Sequence, residues 1–269
     1  MLGSRRADEP TPAFAIGFSV PRKRALAIAQ RWRRRYAAIA TREFLNADIA
    51  SIEGIYVPSY LYSAAAHLSY TAKIGENYTV TTTTTSTDSN GNTTTRTSTR
   101  IETEWRRLEG NWASYIDEVL VTASTGLDND ELEAIEPFDL RQLRRYHPGL
   151  VSGWLAENPS MTFAESRDLA RPEAVRDAAK QLRAFLPGDH CQRLAYETVL
   201  RNEDLELVLL PIWVLAIPYD DGRPPLRLLI NGQTGAITGR PPRSVLKIAL
   251  WILLVCLPII GLLVMAVVN

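Results

Sequence analysis

Cysteine is nearly missing from this chain of 269 residues, which holds only Cys191 and Cys256. Two solitary cysteines exclude a disulfide framework and the paired C-x-x-C ligands of a structural zinc or redox site. Histidine is almost as scarce, at His67, His147 and His190. No His, Asp or Glu set has ligand spacing on one helix, so no metal centre is expected. The chain also lacks a G-x-x-x-x-G-K-[ST] loop, which excludes the usual cradle for nucleotide phosphates. Its 30 Lys and Arg balance 30 Asp and Glu. Residues 1 to 13 have neither an apolar core nor a cleavage site, so they read as a disordered start without a secretory signal.

What charge there is lies unevenly. Residues 1 to 47 carry ten Lys and Arg against three Asp and Glu, whereas residues 102 to 139 carry eleven acids against Arg106 and Arg107. Such asymmetry speaks to partners and orientation rather than to fold. Phe14 to Val20 reads as a short strand, and Pro21 opens a helix running to about Leu45. Ala25, Ile28, Ala29, Trp32, Tyr36 and Ile39 recur at helical spacing, while Arg22, Lys23, Arg24, Arg31, Arg33, Arg34 and Arg35 fill the other face. Two readings stand for that face: a solvated surface, or a contact with anionic lipid headgroups. Nucleic acid is not expected, because no recognisable nucleic-acid module accompanies the basic helix.

From Ile248 to Val268 every side chain is apolar, with six Leu, four Ile and four Val. A helix of that length rises roughly 31 Å at ~1.5 Å per residue, enough to cross a bilayer. Arg240, Arg243 and Lys247 precede the run, and positive flanks favour the cytoplasmic side. The expectation is a tail-anchored, single-pass protein of the inner membrane. Its lipid partner is held by Ile248 to Val268 within an anchor over 245 to 269, and its domain over 14 to 240 faces the cytoplasm. The basic residues of the helix and of this flank are then the expected membrane-surface contacts.

Between these ends the period changes to two. Ile55 to Ser63 and His67 to Ile74 are expected strands. Tyr78 to Arg106 is dominated by Thr around Asn90-Gly91, the strongest short hairpin signal, and reads as a long arm polar on both faces. Such an arm is either a solvated ribbon or a strand pair that meets a partner edge to edge. Its two N-x-T matches, at Asn77 and Asn92, are idle in a cytoplasmic setting. Trp105 to Ala123 continues as strand, Asp128 or Asp130 caps a short acidic helix, and Thr162 with Glu165 makes a capping box before a helix towards Leu186. Pro172 is an expected kink or break. Strands follow at Arg193 to Leu200, Leu205 to Ile217 and Leu226 to Ile230, then a tight turn at Asn231 to Gly235. Val57-Pro58-Ser59-Tyr60-Leu61 echoes Leu210-Pro211-Ile212-Trp213-Val214, which suggests two related β units, about 54 to 123 and 193 to 239, around a helical insert at 128 to 186.

The fold class read from these segments is α+β: antiparallel hairpins and sheets with a basic N-terminal helix, a middle helical segment and one C-terminal transmembrane helix. Only Gly188-Asp189-His190-Cys191 invites a catalytic hypothesis. A helix-ending turn explains it better, because sequence neighbours rarely point at one another as a catalytic dyad must. No catalytic residue, metal ligand or cofactor is assigned.

The segments VPRKRALAIAQRWRRRY, GIYVPSYLY, WASYIDEVLVTASTGL, IEPFDL, GDH at Gly188 to His190, LLPIWVLA and NGQTGAITG, in this order, resemble a family of uncharacterised bacterial membrane-associated proteins. Its members often carry an N-terminal zinc ribbon and loose primosomal or helicase names. The ribbon's cysteine pairs are absent here, and so is the nucleotide loop a helicase needs, so the resemblance implies architecture and no mechanism. Three function classes follow: an interaction or scaffold module with a protein partner, a small-molecule or lipid-binding domain walled by residues such as Trp112, Trp154 or Trp213, and an enzyme. The first is the expected one, and no enzyme activity is assigned.

Overall fold

The computed structural model describes residues 10–87 and 93–247, with 249, 253 and 256 beyond them. Its elements are β1 (Phe14–Ala15), α1 (Arg22–Arg35), α2 (Arg42–Asn46), β2 (Ser51–Thr87), β3 (Thr93–Thr122), α3 (Asn129–Glu133), β4 (Arg144–Arg145), β5 (Leu155–Ala156), α4 (Phe163–Phe185), β6 (His190–Ile217), β7 (Leu226–Asn231) and β8 (Ile237–Thr238). Eight strands hydrogen-bond in the order β3-β2-β6-β1-β4, with β5 beside β2 and β7 between β6 and β8.

The expected α+β arrangement of antiparallel hairpins is therefore corrected to a large mixed sheet with few helices. Two parallel pairings make it mixed: β1 with β6, and β5 with β2. Their short members have two residues each, far below the length at which a strand period shows in a sequence. The long strands also run through places where breaks were expected. β2 passes through Ala64, Ala65 and Ala66, and β6 passes through Asn202, whose φ of 51° places a left-handed residue inside the strand.

A second correction concerns the membrane. No helix among the described residues is long and apolar enough to cross a bilayer. Length alone does not qualify α4, whose 23 residues carry Glu165, Arg167, Asp168, Arg171, Glu173, Arg176, Asp177, Lys180 and Arg183. The expected transmembrane helix, tail-anchored topology and inner-membrane address are withdrawn on that finding. Residues 248 to 268, on which they rested, lie outside the described residues apart from 249, 253 and 256.

The chain divides into two units: residues 1–61, 120–166 and 206–269 form the first, and 62–119 with 167–205 form the second. In the first, Ala25, Ala29 and Trp32 of α1 pack with Phe44, Ile52, Trp213, Leu215 and Leu228. The helix stops at Arg35 instead of running to Leu45: Tyr36 and Ala37 donate to the carbonyls three residues back, and from Ile39 the backbone also pairs with a distant segment. Ser244 donates its N–H to the Ile39 carbonyl at 2.7 Å, and Thr41 donates to Pro242 at 3.1 Å. A second cluster gathers Ile16, Val57, Leu120, Leu132, Ile135, Val208 and Ile212.

Within this unit the proline echo becomes a repeated hydrogen-bond scheme. Ile55 and Tyr56 pair in parallel with Leu155 and Ala156, and Val208 and Leu209 pair in parallel with Phe14 and Ala15, at equal offsets from Pro58 and Pro211. Glu157 donates to the Tyr56 carbonyl at 2.9 Å, as Ile16 does to Leu209 at 3.0 Å. Ala123 donates to Pro58 at 3.1 Å, as Gly232 does to Pro211 at 2.7 Å. The Ala123 carbonyl accepts from Ser160 and Met161, and the Gly232 carbonyl from Ser19 and Val20. Each of those pairs leads straight into a long helix, α4 or α1. Each proline thus sits where its strand exchanges a parallel lead-in for an antiparallel return strand, so its missing N–H disturbs no ladder. Leu120-Val121-Thr122-Ala123-Ser124-Thr125-Gly126 and Leu229-Ile230-Asn231-Gly232-Gln233-Thr234-Gly235 are the matching returns. In both, the third side chain accepts the N–H two residues on: Thr122 from Ser124 at 3.0 Å, and Asn231 from Gln233 at 2.9 Å.

In the second unit, β2 buries Tyr62, Ala64, Ala66, Leu68, Tyr70, Ala72 and Ile74, one residue in two. Helix α4 opens with the expected capping box. Thr162 Oγ1 accepts the Glu165 N–H at 3.3 Å, and Glu165 accepts the Thr162 N–H at 2.8 Å. Pro172 lies inside the helix, which runs on to Phe185.

Candidate interaction surface

The outer parts of β2 and β3 form an arm in the second unit. Threonine favours extended backbone through its branched Cβ without needing a buried face. Residues 81 to 86 and 95 to 101 are exposed throughout, on both faces. The expected turn residues 88 to 92, including Asn90-Gly91, lie outside the described residues. β3 ends the strand order and pairs with β2 alone, so its other edge has no strand partner among the described residues.

Side chains lock the base of the arm. The Tyr78 hydroxyl donates to Glu102 Oε2 at 2.7 Å, Thr103 Oγ1 donates to Asn77 Oδ1 at 2.7 Å, and Arg106 pairs with Glu76. The Tyr78 hydroxyl, and after it the Arg100 guanidinium, hold the Glu102 carboxyl below its ordinary range, while the bond to Glu102 raises the Tyr78 phenol. At Gly75 a Cβ would stand 2.7 Å from Thr103 Cγ2, so only glycine lets the strands close here.

The Gly188-to-Cys191 turn is fastened to this base. Gly188 takes a φ of 87° against Ile74, the Asp189 N–H donates to Gly75 O at 2.9 Å, and the Asp189 carboxylate accepts the Asn77 N–H at 2.8 Å. His190 Nε2 lies 3.3 Å from Asn77 Nδ2, and its ring is 6.3 Å from that of Trp105. The carboxylate therefore addresses Asn77 rather than orienting His190, and Asp189, His190 and Cys191 are all exposed. The geometry is that of a clamp on the arm. His147 accepts the Gly149 N–H at 3.1 Å within a 3-10 turn, and His67 lies exposed on β2.

The expected basic residues differ in exposure and partners. Arg22, Lys23, Arg24, Arg31, Arg34 and Arg35 are exposed on α1. Arg33 is half-buried and donates to the Ala47 carbonyl, and Lys247 donates to the carbonyls of Ala37 and Ala40 at 3.1 and 2.8 Å. These two cations bind backbone of their own unit. Arg243 contributes its backbone to a bridge with Ala40, and both its side chain and that of Arg240 are exposed.

One aromatic cluster in the first unit was not foreseen as a whole. Phe18 stacks on Trp154 at 4.0 Å and meets Tyr56 and Trp213 edge-on. Beside it a cleft of about 520 Å³ is lined by Phe18, Tyr56, Arg141, Arg144 and Leu150. Trp112 is not part of it and lies 6.0 Å from the Phe185 ring. The aromatic residues were visible in the sequence, but their convergence depends on Phe18 and Trp154 being brought to β6 and β2 by the two short parallel strands.

The chain is similar to the uncharacterized protein YdjG of Bacillus subtilis (strain 168), with 24% identity over 255 residues, or 93% of this chain and 70% of that protein. No protein-family model matches, and no solved structure matches significantly.

Proposed function

We propose that this protein is an interaction module that holds a protein partner through the threonine-rich arm. The observation that carries the reading is the combination of full exposure on both faces with a strand edge that no other strand among the described residues covers. An isolated two-stranded ribbon is marginally stable in water, and a third strand added to its edge supplies main-chain hydrogen bonds that the ribbon lacks. The locked base, with Tyr78, Asn77 and the Gly188-to-Cys191 clamp, holds the arm in place for such an addition. No reaction is proposed.

The test places a photo-crosslinking residue at Thr97 on the arm, with Lys180 on α4 as the control, in cells that make the full chain. A discrete adduct from Thr97 that is missing from Lys180 supports the reading. The absence of an adduct from Thr97, or equal labelling from both positions, overturns it. A second reading, capture of a small ligand, rests on the cleft beside Phe18 and Tyr56. It predicts that a bound ligand quenches Trp154 fluorescence and that Phe18→Ala abolishes the quenching.

A further inference from the structure

We infer that the partner of the arm is a second copy of this chain, paired antiparallel along the free edge of β3 about a two-fold axis at Ile101. The inference rests on the interaction reading above and names its partner. Ile101 is 73% exposed. It is also the only large apolar residue between Val80 and Trp105, so the one greasy side chain of the outer arm stands on its uncovered strand.

The charges around Ile101 are self-complementary. With Ile101 opposite itself, Arg100 faces Glu102, Thr99 faces Thr103 and Ser98 faces Glu104, each pair occurring twice by symmetry. Directly opposite residues of an antiparallel pair share a face. One face then holds Ile101 against Ile101 flanked by threonine pairs, and the other holds two crossed Arg100 and Glu102 pairs. Within one chain Arg100 already contacts Glu102, and Glu102 already accepts from Tyr78. The acid is thus ionised and fixed in place for a second guanidinium.

Neighbouring registers are worse. Moving the axis to Glu102 sets that carboxylate against itself, and moving it to Arg100 does the same with two guanidinium groups. An axis at Thr99 also makes two Arg and Glu pairs, Arg96 with Glu102, but leaves each Ile101 against Thr97. Beyond the favoured window Arg96 meets Arg106, which limits the pairing to a short segment. Edge strands commonly use like charges to repel one another, whereas here the charges exclude the axes at Arg100 and Glu102 and the Ile101 self-contact selects between the two that remain.

The test uses the full chain with Cys191→Ser and Cys256→Ser, neither position lying in the arm. Ile101→Cys is expected to form a disulfide-linked dimer under mild oxidation, because self-opposed residues lie within disulfide reach, and Thr99→Cys is expected to form far less. In sedimentation equilibrium, Arg100→Glu should weaken self-association about tenfold or more, and the double variant Arg100→Glu with Glu102→Arg should restore it. A chain that stays monomeric, a dimer indifferent to both variants, or cross-linking through Thr99→Cys in preference to Ile101→Cys overturns the inference. If the Thr97 cross-link in cells joins a different protein while the purified chain is monomeric, the interaction reading stands and the second-copy partner falls.

Discussion

The two proline-centred motifs of the first unit share a backbone plan and differ in chemistry. Around Pro211 the buried positions are apolar: Ile212 is fully buried, and the Trp213 indole donates to Val20 O at 2.8 Å beneath Phe18 and Trp154. Around Pro58 the same positions hold Ser59, fully buried with a hydroxyl that has no partner among the described residues, and Tyr60, whose single ring neighbour among them is Phe163. A scheme built from main-chain bonds is indifferent to side-chain identity, so each copy could diverge while the fold stayed the same. The aromatic copy also supplies a wall of the cleft through Phe18.

The comparison can be broken most readily at its aromatic residues. Trp213→Ala is expected to lower stability by about 3–5 kcal/mol. Tyr60→Ala should cost about 1 kcal/mol less, since it loses one ring contact rather than two. Equal losses in chemical denaturation would mean that the two motifs carry the same load. A smaller effect is expected at the return turns. A Cβ at Gly232 would lie 2.6 Å from Phe18 ring carbons and 2.8 Å from the Pro211 carbonyl, so Gly232→Ala should cost about 1–3 kcal/mol. Its counterpart Ala123 already bears a Cβ, and the residue matching Phe18 there is Pro159. Adding Phe18→Ala to Gly232→Ala should recover part of the loss, measured as a coupling in a double-mutant cycle. Additive losses would show that the Pro211 carbonyl, not the ring, is the obstacle.

Ser59→Ala should raise the melting temperature slightly, by about 1 kcal/mol or less of added stability, because it deletes a buried hydroxyl without a partner. Destabilisation would reveal a hydrogen bond hidden at that site. The smallest expected difference comes from outside both motifs. In the second unit Arg171 donates twice to Glu203 at 2.8 Å, and the Tyr62 hydroxyl donates to it at 2.8 Å. These contacts, the Arg171 guanidinium first, pull the Glu203 carboxyl from 4.5 down to about 2. Its contribution is complete above the unfolded value near 4.5 and is lost as pH falls towards about 2. Glu203→Gln should flatten that acid limb while leaving the Trp213 and Tyr60 contrast unchanged at neutral pH.

Local signals were legible where a few neighbouring residues suffice to carry them. The Thr162 and Glu165 capping box, the α1 face of Ala25, Ala29 and Trp32, and the turn after Asn231 are each written in a few neighbouring residues, whereas the expected cap Asp128 stands at the start of α3 without a side-chain cap bond. The long strands were legible in pieces. Alanines at 64 to 66 and a left-handed Asn202 look like interruptions, and only pairing partners on both sides carry the strands through them. At the candidate site, the threonine arm showed itself by composition. Ile101 did not, because an exposed isoleucine matters only once its strand is known to lie at an edge.

By itself the amino-acid sequence determined the propensities: threonine for an extended arm, proline for a position without a ladder bond, apolar spacing for one helical face. Only the tertiary structure decided that Phe14–Ala15 and Leu155–Ala156 join distant long strands in parallel, turning hairpins into one mixed sheet with a repeated core and an open edge. Two residues hold too little free energy to choose a conformation alone, so their place is set by the strands that receive them.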